Sequence, residues 1–329
     1  MDRRKERGIT RLSVRKGNRA RAGAVGGLLI CTLVAASSVP PPLQMLDWTD
    51  RSQHLLAAAS RPRTCLADSA DGAEAEAVAR GAVLFQSPAL LGGQAARARL
   101  SCTSCHNSGR DNPHFFLSGI SDRPGTADVT ASFFGTARAN GRFDPVRIPD
   151  LTQPGRISRD PATSSLERFI RTLIVDEFSG DEPDGASLGA LSAYVRAVQP
   201  CADEPDGRVP IELDDQLGAV RAGIRGILAM EQAGQPVAVR QLVAATRHQL
   251  GLIDERYAGP RSGTIRSRLS RYSMHLAAVH DGPGDAATKV VLWSRWLDDF
   301  EHEIVPMLER RRNDSLYNAS RLETALRSR

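Results

Sequence analysis

The chain has 329 residues, of which 41% are hydrophobic, 25% charged and 5% aromatic. This composition excludes a wholly disordered protein, and the length allows two domains. The formal net charge of +5 reflects residues 1–23, which carry nine basic side chains against two acidic ones. The remainder is slightly acidic, which argues against a nucleic-acid-binding domain with a basic face.

The basic N-terminus is followed by an uncharged apolar segment at residues 22–36 and then by Ser37, Ser38 and a run of prolines. This order is typical of a secretory signal peptide. About 15 helical residues span roughly 22 Å, which is short of the ~30 Å hydrocarbon core of a membrane. We therefore predict that residues 1–37 are a signal peptide cleaved near Ser37 or, if uncleaved, an N-terminal anchor. A helix buried in a soluble core is the third alternative, and residues 38–72 are predicted to be a linker.

Two of the five cysteines lie in the sequence Cys-Thr-Ser-Cys-His at residues 102–106. The spacing C-x-x-C-H is the attachment signature of c-type haem. Two thiols three positions apart lie on one short turn and reach the same side of a porphyrin, and the histidine then falls under the iron. We therefore predict that Cys102 and Cys105 hold one covalently attached haem c and that His106 is the proximal iron ligand.

Two other functions of a C-x-x-C pair fit the sequence less well. A thioredoxin-like redox pair lies at a strand-to-helix junction, but residues 95–101 contain no β-branched run. A zinc site requires a second close pair, whereas Cys65 and Cys201 stand singly and far apart.

Cys65 and Cys201 bracket the haem motif along the chain. Because an exported protein matures under oxidising conditions, we predict a disulfide between them, with two unpaired thiols as the alternative. In the chain-entropy description, closing so long a loop stabilises a protein by at most about 5 kcal/mol.

Apolar periodicity predicts helices on both sides of the motif, at residues 73–85 and 186–198. Gly81 and Phe85 in the first helix, and Tyr194 in the L-x-x-Y-V of the second, resemble the crossed terminal helices of class I cytochromes c. In that family the glycine lets the two helices touch. The resemblance implies an all-α fold with a class I cytochrome c-like haem domain over residues 73–202, followed by a linker at 203–210.

The segment between these helices resembles one haem domain of the bacterial di-haem cytochrome c peroxidase group. The similar sequences are Ser-Phe-Phe-Gly at 132–135, Arg-Ile-Pro-Asp-Leu at 147–151 and Leu-Glu-Arg-Phe-Ile at 166–170. The resemblance covers residues 74–200 at most, and the chain departs from the group because it has no second C-x-x-C-H. A mechanism in which one haem feeds electrons to another is therefore not expected.

The sequence leaves the sixth iron ligand open. Class I cytochromes usually supply a methionine, but none occurs between His106 and Cys201, and His114 is the only histidine in that interval. Eight extended residues reach roughly 26 Å, which is enough to pass around the edge of a haem. Some domains of the peroxidase group also place a histidine ligand soon after the motif. His114 is thus the candidate distal ligand, and the alternatives are an open or water-filled position or a residue from the C-terminal region.

From residue 211 onward, apolar residues recur at steps of three and four, which predicts helices. The stripes are Leu213, Leu217, Val220, Ile224 and Ile227; Val239, Leu242, Thr246, Leu250, Ile253 and Tyr257; Ile265, Leu269, Tyr272, Leu276 and Val279; and Trp293, Trp296, Phe300, Ile304 and Met307. Short breaks between apolar-striped helices imply antiparallel neighbours. We predict an antiparallel four-helix bundle over residues 211–311 and a basic tail over 312–329. The tail is expected to be solvated, with contact to an acidic partner or a membrane surface as the alternative.

Together these features predict an exported mono-haem c-type cytochrome that transfers single electrons in the periplasm. Its partner would be a redox protein or a small electron donor or acceptor, and no nucleic acid is expected. Membrane association would occur through an uncleaved N-terminus. The alternatives are a peroxidase-like haem enzyme with an open or displaceable sixth ligand, and a haem-based ligand sensor.

Overall fold

The computed structural model describes residues 43–69, 71–155, 157–203, 207–259 and 261–327. This part of the chain is mostly helical with a few short strands, in agreement with the predicted all-α class. The predicted signal peptide or anchor, at residues 1–37, lies outside the described residues. Within the described ranges, no helix combines the length and the apolar character needed to cross a membrane.

The described part of the predicted linker at 38–72 is structured. It contains a 3₁₀ turn (Gln44–Trp48), α1 (His54–Ala59), β1 (Ser60–Pro62) and β2 (Cys65–Leu66). Leu46 and Trp48 bury their side chains, so the segment packs against the rest of the protein.

The region around the motif consists of short helices between two longer ones. It contains α2 (Gly72–Phe85), α3 (Pro88–Leu91), α4 (Gly93–Arg97), α5 (Cys102–Cys105), β3 (Thr126–Ala127), β4 (Val146–Arg147), α6 (Ser165–Thr172), a π-helical turn (Leu173–Glu177) and α7 (Gly185–Ala197). The two long helices, α2 and α7, lie within one residue of their predicted ends. Each begins at an aspartate, Asp71 or Asp184, whose carboxylate accepts a hydrogen bond from the third helical amide (2.8 Å in both).

Helices α2 and α7 cross at Gly81. A Cβ atom at this position would lie 1.9 Å from the carbonyl oxygen of Ala190 and 2.8 Å from Cβ of Tyr194. No side chain fits in that space, so glycine is required for the two backbones to touch. One turn further along, the rings of Phe85 and Tyr194 pack with their centroids 5.1 Å apart.

Short strands tie distant parts of the chain together beside this crossing. They include β5 (Val198–Gln199) and β6 (Arg208–Pro210), and the antiparallel pairs are β1 with β6, β2 with β5, and β3 with β4. The described residues of the predicted linker at 203–210 therefore include a paired strand. A disulfide joins Cys65 to Cys201 next to the β2–β5 pair, with a Cα–Cα distance of 5.3 Å.

Four helices follow in sequence: α8 (Leu213–Gln232), α9 (Pro236–Arg256), α10 (Gly263–Asp281) and α11 (Ala286–Asp299). Each packs against its sequence neighbours, and α11 also packs against α8. Helix α8 lies on α2 closely enough that a Cβ at Gly226 would approach Cγ of Arg80 to 2.8 Å. The buried residues of α2, α7, α8 and α9 consequently belong to one hydrophobic core.

Most residues of the predicted stripes are buried in these helices, but Tyr272 is only half-buried. A second difference lies near the C-terminus. A π-helical turn (Phe300–Ile304) separates α11 from α12 (Val305–Arg310) and inserts one extra residue into the helical repeat. The buried position consequently moves from Met307, as predicted, to Leu308, which is fully buried.

The segment predicted as a basic tail folds back onto the protein. It contains a 3₁₀ turn (Arg312–Asp314) and α13 (Ala319–Arg327), which packs against α1. Leu316 and Leu322 bury their side chains in a small second core with Leu43 and Leu46. These apolar residues therefore anchor the tail, while Arg321 and Arg327 stay at the surface.

Candidate functional site

The C-x-x-C-H motif forms one helical turn, α5, with the histidine at its end. The amide of Ser101 donates to Oγ of Ser104 (3.0 Å), and the amide of His106 donates to the carbonyl of Cys102 (2.8 Å). The side-chain amide of Asn112 donates to the carbonyl of Ser104 (2.8 Å), so the following loop also holds the turn. Cys102 and Cys105 are thereby fixed one turn apart.

The chain reverses immediately after His106. Ser108 and Gly109 adopt left-handed backbone conformations, with φ values of 57° and 77°. A Cβ at Gly109 would lie 2.7 Å from Cγ1 of Val198, just beyond the end of α7. The segment directly after the motif therefore packs against the residue that follows α7, and a side chain at position 109 would push the two apart.

The ring of His106 is oriented from a distant part of the sequence. Its Nδ1 lies 3.1 Å from the carbonyl oxygen of Pro149. A carbonyl can only accept, so the ring proton belongs on Nδ1, and Nε2 keeps its lone pair for a metal. The ring also packs at 6.4 Å, centroid to centroid, from Phe85 of α2.

Burial lowers the pKa of His106 to about 4, although the hydrogen bond to Pro149 and the charges of Asp111 and Asp150 oppose the shift. Both carboxylates are paired with arginines: Asp111 with Arg147 at 3.1 Å and Asp150 with Arg110 at 3.5 Å. The imidazole is consequently neutral at neutral pH, which is the form that binds a metal ion.

The loop that contains Pro149 is held in place by Arg159. The guanidinium of Arg159 donates to the carbonyls of Leu151 and Gln153 in the loop and to that of Val195 in α7 (3.3 Å). The amide of Leu151 in turn donates to the carbonyl of Gly109 (3.1 Å). Arg159 therefore links the loop that orients His106 to the helix behind the motif.

Cys102 and Cys105 are unpaired and half-buried. Burial raises the pKa of both thiols to about 12. In thioredoxin-like redox pairs the attacking thiol instead has a lowered pKa, because the thiolate is the reactive form. The environment of this pair is therefore unlike that of a thiol–disulfide exchange site.

His114, the candidate distal ligand, lies in other surroundings than His106. Its carbonyl accepts from the amide of Asp50 (3.0 Å), and its pKa is lowered by burial and by the charge of Arg208, while Asp50 raises it. None of the hydrogen bonds, ion pairs or ring contacts among the described residues joins the two histidines.

Pro149 and Arg159 shape the site, but no sequence pattern predicts a role for either residue. Pro149 lies in a segment that resembles the peroxidase group, but its carbonyl cannot be recognised as an acceptor because every residue has one. Arg159 lies among polar loop residues with no local pattern around it. Only the fold brings these two residues to the motif.

The residues present fit a covalently attached haem. Two half-exposed thiols lie on one turn, and the histidine that follows has one ring nitrogen committed to a carbonyl and the other free. Among the described residues, no cluster of three or more His, Cys, Asp or Glu side chains is arranged to hold a metal ion by itself. That finding is compatible with a haem iron, because a porphyrin supplies four ligands and the protein only one or two.

Comparison with family models, with curated proteins and with solved structures found no match in any of the three.

Proposed function

We propose that this protein is an exported mono-haem c-type cytochrome that transfers single electrons in the periplasm. Cys102 and Cys105 would hold the haem covalently and His106 would be its proximal ligand. The observation that carries the proposal is the hydrogen bond between Nδ1 of His106, at the end of the C-x-x-C-H turn, and the carbonyl of Pro149. This hydrogen bond fixes the tautomer and the orientation that a proximal ligand needs.

A haem bound at this site supplies reversible one-electron chemistry at its iron. The protein's own residues keep the imidazole of His106 neutral and in one orientation. A neutral carbonyl withdraws the Nδ1 proton less strongly than a carboxylate would, so His106 is a moderate donor rather than an imidazolate-like one. The charges of Asp111 and Asp150 favour the protonated ring, but each carboxylate is paired with an arginine and the effect of burial outweighs both. These features favour electron transfer over bond-breaking chemistry.

The proposal includes the finer architecture that the sequence predicts. The glycine-mediated crossing of α2 and α7 supports a class I cytochrome c-like domain. The packing of α8 to α11, each on its neighbour and the last on the first, supports an antiparallel four-helix bundle. The Cys65–Cys201 disulfide supports maturation in an oxidising compartment. Residues 1–37 would then direct export or anchor the protein to the inner membrane.

The test of covalent attachment is expression of the full chain in a bacterium that matures c-type cytochromes. We expect haem stain on a denaturing gel, haem that resists acid-acetone extraction, and a pyridine haemochrome of a porphyrin with both vinyl groups saturated. The double variant C102A/C105A should lose all covalent haem. The matched variant C65S/C201S, which removes two cysteines elsewhere, should retain it. Haem that resists extraction from C102A/C105A would falsify the attachment.

A second candidate function is that of a peroxidase-like enzyme or a ligand sensor with an open sixth position. It is favoured by the lack of methionine between His106 and Cys201, by the hydrogen bond from the Asp50 amide to the His114 carbonyl, and by the charge of Arg208, which lowers the pKa of His114. Absorption spectra of the reduced protein with and without carbon monoxide distinguish the candidates. A low-spin spectrum unchanged by the gas supports the electron carrier, and H114A should then open the site if His114 is the ligand. A spectrum that shifts with the gas supports the alternative.

A further inference from the structure

A cavity of about 200 Å³ lies at the N-terminus of α10, on the part of the protein formed by the C-terminal segment. Its lining is unusually basic for its size: Gly259, Arg261, Ser262, Ile265, Arg311, Asp314 and Arg321. Three arginines thus face one aspartate, so the lining carries an excess of positive charge. At about 30 Å³ per water molecule, the cavity has room for several waters or a small ligand.

The positions of two of the arginines are fixed by buried neighbours and by Asp314. Arg311 and Arg321 each lie 3.0 Å from a different carboxylate oxygen of Asp314. Leu308, fully buried, anchors the turn that carries Arg311, and Leu322, 2% exposed, anchors α13 beside Arg321. One carboxylate therefore holds two guanidinium groups in place while neutralising only one of them.

Arg261, by contrast, has no ion pair among the described residues. Its side chain is exposed at the edge of the cavity, directly before the first residues of α10. It adds a positive charge that forms no ion pair with any acidic side chain in the described part of the chain.

Ser262 is the most informative residue of the lining. The residue is 4% exposed, its hydroxyl makes no hydrogen bond to another described residue, and the hydroxyl oxygen itself stays accessible from the cavity. It is the residue directly before α10, but its side chain makes no capping hydrogen bond to the helix. A hydroxyl that opens onto a cavity and makes no hydrogen bond to the described residues is free to donate one to a ligand or to water. The first amides of the 19-residue helix α10 also lack acceptors within the helix and present the positive end of its dipole.

We propose that this cavity binds a phosphate group. Guanidinium groups and hydroxyl donors are groups that bind phosphate in proteins, and both line this cavity at the N-terminal end of α10. The phosphate would come from free phosphate or a phosphate monoester, or from the headgroup of an anionic phospholipid. The proposal rests on residues 259–321 alone and does not depend on haem attachment.

The test uses the purified full chain, titrated with inorganic phosphate by calorimetry in a phosphate-free buffer, with ionic strength held constant by sodium chloride. We expect saturable binding of one phosphate per chain. Arg261→Gln should weaken it by about tenfold or more, because a charge-assisted bidentate contact is lost. Ser262→Ala should weaken it severalfold, and Arg261→Lys should retain part of the affinity because the charge remains.

Arg271→Gln is the matched control. Arg271 is exposed on the same helix and has no ion pair among the described residues, so the substitution makes the same change in net charge away from the cavity. We expect phosphate affinity within about twofold of the original protein. Equal weakening by Arg261→Gln and Arg271→Gln would overturn the proposal, as would a phosphate signal no larger than that of chloride.

The source of the phosphate is decided by competition. Vesicles of phosphatidylglycerol mixed with phosphatidylcholine, added to the phosphate complex, should release phosphate if the natural ligand is a lipid headgroup. Vesicles of phosphatidylcholine alone are the control and should release no phosphate in either case. If the vesicles with phosphatidylglycerol also release none, the ligand is a soluble phosphate compound. Either result keeps the site, because both follow from saturable binding that depends on Arg261.

Discussion

The Nδ1 atom of His106 and the carbonyl oxygen of Pro149 lie 3.1 Å apart, although 43 positions separate the two residues in the sequence. The hydrogen bond selects one tautomer of the imidazole and holds its ring near Phe85 of α2. A histidine at the end of a four-residue helix would otherwise rotate freely, so the long loop that brings Pro149 to it is part of the site.

Arg159 is expected to stabilise that loop. Arg159→Ala removes donors to the carbonyls of Leu151, Gln153 and Val195 and leaves these acceptors without their partner. We expect a loss of roughly 1–3 kcal/mol in the free energy of unfolding, measured with urea and circular dichroism. Arg168→Ala serves as the control, because Arg168 is exposed and makes one long side-chain contact of 3.4 Å. Equal losses in the two variants would mean that Arg159 does not hold the loop.

The helix crossing makes a second prediction. Gly81→Ala places a methyl group 1.9 Å from the carbonyl oxygen of Ala190, which must push α2 and α7 apart. We expect destabilisation of at least about 2–3 kcal/mol, again from urea unfolding.

Gly189→Ala is the matched control for this substitution. Gly189 lies in α7 as well, and a Cβ there meets nothing within 4 Å. The variant should be as stable as the original protein or more stable by about 0.5–1 kcal/mol, because alanine is the better helix former. A Gly81→Ala protein as stable as Gly189→Ala would show that the helices do not touch at this point.

The Cys65–Cys201 disulfide closes a loop across 136 positions. Removing it in C65S/C201S should lower the free energy of unfolding by at most about 5 kcal/mol, because the unfolded chain regains conformational freedom. Thermal unfolding with and without dithiothreitol measures the effect. The reductant should destabilise the original protein and leave C65S/C201S unchanged, and a drop of similar size in both would contradict the prediction.

The partly buried carboxyl group of Glu255, with its side chain 15% exposed, links α9 to the N-terminal segment. Glu255 accepts a hydrogen bond from the amide of Gln44 (2.9 Å) and pairs with Arg99 (3.0 Å). Burial raises its pKa from 4.5 to about 7, against the effects of Gln44, Arg99 and Arg256, while Asp47 adds to the rise. Between these two pH values the folded protein binds more protons than the unfolded chain, so stability due to Glu255 falls as the pH rises.

Glu255→Gln should remove this dependence. Relative to the original protein, the variant should gain up to about 3 kcal/mol in unfolding free energy as the pH rises from about 4.5 to about 7. Urea unfolding at several pH values gives the difference in slope between the two proteins, which any pH-independent effect of the substitution leaves unchanged. A constant difference between the two proteins would show that Glu255 titrates normally.

His248 is expected to change the pH dependence of stability in the direction opposite to that of Glu255. Its Nε2 lies 3.2 Å from the side-chain nitrogen of Gln44, and burial lowers its pKa to about 4, with a smaller effect of Arg99. Below its ordinary pKa of 6.5 the unfolded chain binds the extra proton, so stability due to His248 rises with pH. His248→Gln should therefore make the fall of stability between about pH 4.5 and about pH 6.5 steeper. Slopes that change in the same direction in both variants would contradict this assignment.

Much of the helical architecture is predictable because it is local. The repeat of apolar residues at steps of three and four marks α2, α7 and the helices from α8 to α11, and their ends agree with capping residues such as Asp71 and Asp184. The register fails at Met307, because a π-helical turn depends on packing around Phe300 and not on a periodic pattern.

The sequence by itself determined which residues could bear the chemistry, because C-x-x-C-H places two thiols and an imidazole on one turn wherever that turn lies. Only the tertiary structure decided how His106 is oriented, which loop Arg159 holds and which arginines meet at Ser262. The reason is physical. A helical repeat depends only on the side chains of one segment. A hydrogen bond to a distant backbone carbonyl, or a cavity between three segments, depends on which parts of the chain the fold brings together.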